Sequence, residues 1–328
     1  MTKDLILFGD CRETLKKFDE KARVCVTSPP YYGLRDYGTA TWIGGDPNCN
    51  HRRDTKVKPE NCITGHKNHD TMLGVGDAIY KSVCEKCGAI RQDSQIGLEE
   101  TPEEYVKEMV KVFRLVRDNL TDDGTLWLNI GDSYYNYRPG KGQGLVKQSV
   151  SKTNQDLPSK CNRRGNKLQG YKEKDLIGIP WLLAFALRKD GWYLRQDIIW
   201  SKPNPMPESV RDRCTKSHEY IFLFSKNQNY YFDVDAIKEL TVDGKGLKRK
   251  KSVWNIKTKP YKDAHFAVYP EELIVPCILA GSKENDIILD PFMGSGTTGA
   301  VARSLGRHYL GCELNQDYGT LIQQRIYG

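Results

Sequence analysis

Short apolar runs and helical periodicities alternate along the chain. Leu5–Phe8 is an apolar run that stops at Gly9-Asp10, and 12–18 suits a short helix. Ala22–Thr27 is a second buried strand that runs into Ser28-Pro29-Pro30-Tyr31, where two successive prolines must end it. Further on, Thr101-Pro102-Glu103-Glu104 places a capping hydroxyl, a proline at the first helical position and a glutamate at the third. Tyr105, Val106, Met109, Val110, Phe113, Val116 and Leu120 then recur at helical spacing. Residues 124–130 read as a buried strand ending at Gly131-Asp132, 180–189 as an apolar helix, and 192–200 and 219–224 as two more strands. The C-terminal part predicts a helix over 270–279, a strand over 286–289, a helix over 298–305, a strand over 309–312 and a last helix over 317–326. Strands and helices in alternation predict an α/β fold with parallel strands.

Two stretches interrupt this pattern. Residues 44–95 are polar, glycine-rich and without periodicity, and read as an insertion. Residues 138–175 are also aperiodic, and they hold ten Lys/Arg against three Asp/Glu. A second basic stretch, 245–262, holds eight Lys/Arg and no acid. The net charge of +8 is therefore uneven: an acidic body carries two basic segments, a distribution suited to contact with a polyanion. With 328 residues the chain can bury one large core, and mean hydropathy is -0.62. No apolar run approaches the ~20 residues of a membrane span, and the N-terminus does not read as a signal peptide. A cytoplasmic protein is expected, so its ten cysteines argue against a disulfide framework.

The candidate chemistry lies at both ends of the chain. The strand at 286–289 runs into Asp290-Pro291-Phe292-Met293-Gly294-Ser295-Gly296-Thr297-Thr298, a glycine-rich turn that opens a helix. The next strand ends at Glu313, 23 positions after Asp290, where an acid can accept both hydroxyls of a ribose. A phosphate-cradling P-loop is excluded because Thr297, not lysine, follows Gly296. Gly294, Gly296 and Gly299 match the G-x-G-x-x-G spacing of nicotinamide sites, a weak signal that a structural turn explains equally well. At the other end, Ser28–Tyr31 follows a strand terminus, where α/β sheets place their ligands. An exocyclic base amine is a poor nucleophile because its lone pair is delocalised into the ring. The Ser28 hydroxyl and the Pro29 carbonyl can accept its N–H groups, Pro30 fixes the backbone, and Tyr31 offers a face for a base flipped out of its duplex.

Taken together, these two units resemble the amino-methyltransferases of DNA, in the permuted order called the β group. TSPPY at 27–31 looks like the family's catalytic motif, DPFMGSGTT at 290–298 like its cofactor loop, and GCELN at 311–315 like the strand end that holds the ribose. GDCRETL at 9–15, LNIGDSY at 128–134, KSHEYIFLFSK at 216–226 and HFAVYPEELI at 265–274 are similar as well. The resemblance implies a Rossmann-like, circularly permuted fold dependent on S-adenosylmethionine. Its cofactor residues would be Asp10, Thr27, Asp290, Pro291, Phe292, Gly294, Ser295, Gly296, Thr297, Thr298, Glu313 and Asn315, with Asp10 near the adenine. Its catalytic residues would be Ser28, Pro29, Pro30 and Tyr31. Serine at the first motif position is typical of cytosine-N4 enzymes, and aspartate or asparagine of adenine-N6 enzymes, so cytosine N4 is favoured over adenine N6. An RNA or protein amine methyltransferase and a DNA-binding module without catalysis remain the rival classes. Pro276-Cys277, the motif of a C5 enzyme, lies within an apolar helical pattern and reads as core; the absence of H-x-E excludes a zinc deaminase.

Cys49-x-His51 and Cys84-x-x-Cys87, the latter followed by Gly88, supply four soft ligands in two pairs, for which tetrahedral structural zinc is the natural occupant. Cys62, His66 and His69 are substitutes or a second partial site. The expected organisation is therefore a catalytic domain begun by 1–43, a zinc-binding insertion at 44–95, and the remainder of the catalytic domain at 96–328. The remainder includes the basic loop 138–175 and a short candidate target-recognition region at 233–264. The expected partners are double-stranded DNA and a cognate restriction endonuclease of a bacterial or phage modification system, with no membrane contact and either a monomer or a homodimer.

Overall fold

A computed structural model describes residues 3–33, 39–51, 80, 83–135, 137–138, 142–143, 168–259 and 269–328. The main sheet has eight strands: β1 (Leu5–Phe8), β2 (Ala22–Thr27), β3 (Leu120–Ile130), β4 (Tyr193–Ser201), β5 (His218–Ser225), β6 (Val253–Asn255), β7 (Ile287–Asp290) and β8 (His308–Glu313). Their order across the sheet is β1-β8-β7-β2-β3-β5-β4-β6. Every neighbouring pair is parallel except the two that involve β5, so β5 alone runs backwards.

The N-terminal strand pairs in register with the C-terminal one, Leu5 opposite Leu310 and Phe8 opposite Glu313. The first and last strands of the sheet are thus neighbours, which fits the permuted order.

Side chains alternate across the central strands. Val24, Val26, Trp127, Ile221 and Leu223 join one core cluster with Leu273, Ile278, Val301 and Ile322 of the helices α4 (Glu271–Gly281), α5 (Thr297–Ser304) and α6 (Gly319–Tyr327). Their neighbours in sequence, Cys25, Leu126, Leu128, Phe222 and Phe224, are equally buried. Phe222 and Phe224 meet Trp181, on α3 (Ile179–Lys189), and Trp192 edge-on. α3 packs against α2 (Pro102–Asn119), and α2 against the short α1 (Cys11–Thr14). A sheet buried on both faces explains why its strands read as continuous apolar runs. Cys277 is buried within α4, its thiol pushed far up by burial, so it belongs to the core as expected.

Several sequence expectations shift slightly. The helix expected over 12–18 is α1 followed by a 3-10 turn, Leu15–Lys17. β3 begins four residues early, because Leu120 to Asp123 extend it through a polar stretch. The edge strand β6 was not foreseen.

The chain divides into two compact units. One comprises Met1–Arg35, Ile96–Tyr135 and Leu168–Gly328; the other comprises Asp36–Gln95 and Asn136–Lys167. The insertion expected at 44–95 thus begins slightly earlier, and most of the 138–175 stretch belongs to the same unit. In the second unit, Thr41–Ile43 and Ile90–Gln92 form a small antiparallel ribbon. No helix among the described residues is long and apolar enough to cross a membrane.

Candidate active site

Because β1, β8, β7, β2 and β3 are parallel, the residues that follow each strand collect along one edge of the sheet. Asp10, Glu313, Asp290, Ser28 and Gly131 all lie there. β4 ends at the same edge and β5 begins there, which adds Lys202 and Glu219.

The two sequence motifs leave adjacent strands, with Leu289 of β7 paired to Cys25 of β2. Asp290 joins them. Its carboxylate accepts from Thr27 Oγ1 at 2.6 Å, Thr298 Oγ1 at 2.5 Å, the Phe292 backbone N–H at 3.0 Å and the Tyr269 hydroxyl at 3.2 Å. Asp290 is 1% exposed, and burial raises its carboxyl above the usual range although all four donors pull the other way. The carboxylate therefore acts as a buried post between the two loops.

The glycine-rich turn has a backbone that only glycine adopts easily. Gly294 and Gly296 have φ of +55° and +86°, and Gly296 caps the start of α5. Pro291, Ser295, Thr297 and Thr298 are shielded, as are parts of Phe292 and Gly294. Ser295 Oγ accepts from Arg325 Nη1 at 3.0 Å. Glu313 closes the turn: its two oxygens accept from the backbone N–H of Gly294 and of Asn315, both at 2.8 Å. Burial pushes the Glu313 carboxyl up to about 7. Asn315 Oδ1 caps the next turn by accepting from Asp317 N–H. The Gly9 N–H donates to Glu313 O at 2.8 Å, which draws the start of the chain to this strand end. Asp10 lies alongside, where it caps α1 and accepts from the Arg12 guanidinium, itself paired with Glu108.

In the TSPPY loop, Ser28 is half-buried and Pro29 buried. The Pro30 carbonyl accepts from the Tyr105 hydroxyl at 2.9 Å, so α2 anchors the loop from outside the sheet. The Tyr31 ring lies so close to Gly131 that a Cβ there would sit 2.6 Å from it. Its hydroxyl donates to Glu219 Oε2 at 2.7 Å and stands 3.5 Å from Ser28 Oγ. Glu219 is ion-paired with Lys202, whose ammonium also lies 4.2 Å from the centre of the Trp200 ring. Asn129 Nδ2 donates to Tyr220 O at 3.1 Å and to Glu219 Oε2 at 3.3 Å. Burial, then the Glu219 charge, raise the Tyr31 phenol well above its ordinary value.

The two loops are visible in the sequence, but the side chains that support them, Glu219, Lys202, Asn129, Tyr105 and Tyr269, come together only in the fold. Glu219, Asn129 and Tyr269 fall inside segments already noted as similar to the family, KSHEY, LNIGDSY and HFAVY, and Tyr105 belongs to the helical pattern that follows Thr101. No local feature marks Lys202.

In the second unit, Cys49, His51, Cys84 and Cys87 converge, with ligand atoms all within 4.8 Å of one another. Cys49 Sγ lies 3.8 Å from Cys84 Sγ, and Cys87 Sγ lies 3.5 Å from His51 Nδ1. Tetrahedral zinc, with bonds of about 2.3 Å to sulfur and about 2.0 Å to nitrogen, would set such pairs about 3.8 Å and about 3.5 Å apart. Gly88, at φ +75°, forms the knuckle, and its N–H donates to Cys84 O. Backbone N–H groups of Ala89 and Asp46 lower the Cys87 thiol to about 6, towards the thiolate that a metal binds. Trp42 stacks on the His51 ring at 4.3 Å. Cys62, His66 and His69 lie outside the described residues.

Residues 22–324 match the DNA methylase model N6_N4_Mtase. The chain belongs to the DNA methylase family. The methylase is 43% identical over 328 residues to the type II methyltransferase M.SmaI of Serratia marcescens, covering 98% of this chain and 90% of that one. It is 40% identical to the type II methyltransferase M.Cfr9I of Citrobacter freundii, covering 98% and 86%. Among solved structures, the cytosine-N4-specific PvuII DNA methyltransferase matches with a TM-score of 0.60 at 17% identity, covering 100% of this chain and 88% of that one. The Thermus thermophilus protein TTHA0409, solved in complex with S-adenosyl-L-methionine, matches with a TM-score of 0.54 at 20% identity, covering 98% and 92%. The shared fold is the methyltransferase α/β sheet, and the methylase is a DNA amino-methyltransferase of the restriction-modification type.

Proposed function

We propose that this methylase transfers a methyl group from S-adenosylmethionine to the N4 amine of cytosine in duplex DNA, after the base is flipped out of the stack. The observation that carries this reading is the joining of the two motif loops on adjacent strands by Thr27 and Asp290. A donor molecule on the glycine-rich loop and an acceptor base at Ser28 would then lie side by side, and proximity of that kind supplies much of the rate of a two-substrate reaction.

S-adenosylmethionine supplies the reactive methyl on a sulfonium. The residues that would hold it are Glu313, at the ribose hydroxyls, and the backbone of 292–298, with Asp10 towards the adenine. The fit is good on the protein side: each Glu313 oxygen has one lone pair engaged by a backbone N–H, which leaves capacity for a ribose hydroxyl. Ser28 Oγ and the Pro29 carbonyl accept the two N–H bonds of the amine and draw its lone pair out of the ring. Tyr31 closes one side of the base site. Serine rather than a carboxylate or amide at position 28 favours cytosine.

The Cys49–His51–Cys84–Cys87 cluster is proposed to hold one structural zinc. Four protein ligands fill its tetrahedron, so the ion stiffens the insertion and takes no part in methyl transfer. The basic residues Lys245, Lys251 and Lys257 are proposed to meet DNA phosphates. Lys257 adjoins Thr258, which is clasped to Asn204 by two hydrogen bonds at 3.0 Å and 3.1 Å in the chain that follows β4. The test of the catalytic assignment is methyl transfer from labelled cofactor by Ser28→Ala. The variant should bind cofactor and DNA and transfer nothing; transfer at the wild-type rate would refute the role of Ser28.

A further inference from the structure

A serine hydroxyl raises a question that an aspartate carboxylate in its place would not. It can donate as well as accept. If Ser28 donated towards the target amine, it would tie up the lone pair that must attack the methyl group. An enzyme built on serine therefore needs something that fixes the direction of that hydrogen bond.

A short chain of side chains lies in position to do so. Lys202, from the end of β4, is ion-paired with Glu219, at the start of β5. Glu219 Oε2 accepts from Tyr31 at 2.7 Å, and Tyr31 stands 3.5 Å from Ser28. The side chains of Lys202 and Glu219 are only 17% and 16% exposed, so neither is an ordinary surface group. Tyr31 has one hydroxyl proton. The closest acceptor for it is the charged Glu219 oxygen; Asn129 Oδ1 is farther, at 3.3 Å. With that proton committed, the Tyr31 oxygen can only accept from Ser28.

We propose that Glu219, held by Lys202, is a positioning residue that fixes the direction of hydrogen bonding through Tyr31, so that Ser28 donates to Tyr31 and meets the target amine with both lone pairs free. The Asn129 amide, which donates to Glu219 and to Tyr220 O, keeps the carboxylate in place. The inference rests on the reading of Ser28 as the amine's acceptor.

The experiment compares Tyr31→Phe, Glu219→Gln, the double variant and Ser28→Ala in single-turnover methyl transfer, at saturating duplex substrate and S-adenosylmethionine. Thermal stability and DNA affinity are measured in parallel. Tyr31→Phe keeps the ring and removes only the hydroxyl. Its transfer rate should fall about tenfold, the effect of one misdirected hydrogen bond, with DNA affinity and melting temperature unchanged. Glu219→Gln alone should slow transfer to a similar degree, and adding it to Tyr31→Phe should slow the reaction no further, because the chain is already broken. An unchanged rate in Tyr31→Phe overturns the proposal, as does a loss in the double variant equal to the product of the two single losses. If Glu219→Gln does not fold, Tyr31→Phe alone decides. Wild-type transfer by Ser28→Ala would instead overturn the underlying reading of Ser28, so the two failures are distinguishable.

Discussion

Glu313 offers a quantitative test of the proposed cofactor loop. Its carboxyl is buried and raised from 4.5 to about 7, mainly by burial, while the N–H groups of Gly294 and Asn315 oppose the shift. A carboxyl raised by folding is a group for which protonation favours the folded state. Its destabilising effect is absent below about 4.5, grows as pH rises, and is complete above about 7. Integrating the linkage between pH 5.5 and 8, the cofactor-free protein should lose about 2 kcal/mol through this one group. For a chain of this size that is roughly 3 °C in melting temperature. Glu313→Gln removes the titration and keeps the shape. The perturbation is therefore read as a difference: the melting temperatures of wild type and variant, each at pH 5.5 and pH 8, without cofactor. The variant can start lower or higher because its amide meets the two backbone donors differently, but the gap between the proteins should move by roughly 3 °C in the variant's favour as pH rises. A gap that stays constant would refute the reasoning. Cofactor affinity should behave in the opposite sense. The ionised carboxylate is the better acceptor for ribose hydroxyls, so binding to the wild type should weaken as pH falls below about 7.

Other consequences are simpler to state. Thr27→Val removes one donor from the buried Asp290 carboxylate without changing volume; it should cost about 1.5–3 kcal/mol, read by chemical denaturation, and slow methyl transfer by loosening one motif loop from the other. Protein purified without chelators should contain one zinc per chain by elemental analysis, and Cys84→Ser should release it and expose the insertion to proteolysis; a metal-free wild type would exclude the ion. Replacing Lys245, Lys251 and Lys257 with glutamine should weaken binding to all DNA sequences alike and lower the slope of log affinity against log salt by about 0.9 for each phosphate that is no longer neutralised.

Much of this architecture was legible in the chain because strong local signals bound its elements. Ala22–Thr27 was read with its true limits, since Pro29 and Pro30 permit no continuation. The cap of α2 is formed as expected, with Thr101 Oγ1 accepting from Glu104 N–H at 3.1 Å. The edge strand Val253–Asn255 escaped notice because only Trp254 of its three residues is buried, and the segment otherwise reads as a basic loop. The supports of the active site were hidden for a different reason. Tyr31 and Glu219 are 188 positions apart, and Thr27 and Asp290 are 263 apart. Only the strand order brings them together, and periodicity says nothing about strand order. The Cys/His cluster was visible because its ligands come in two close pairs, C-x-H and C-x-x-C, each held by a local turn.

The central claim is that this methylase modifies the N4 amine of cytosine. Duplex DNA incubated with the protein and S-adenosylmethionine can be digested to nucleosides and measured by mass spectrometry against authentic standards. N4-methyldeoxycytidine is the expected product, absent with Ser28→Ala. N6-methyldeoxyadenosine in its place would contradict the assignment that rests on Ser28.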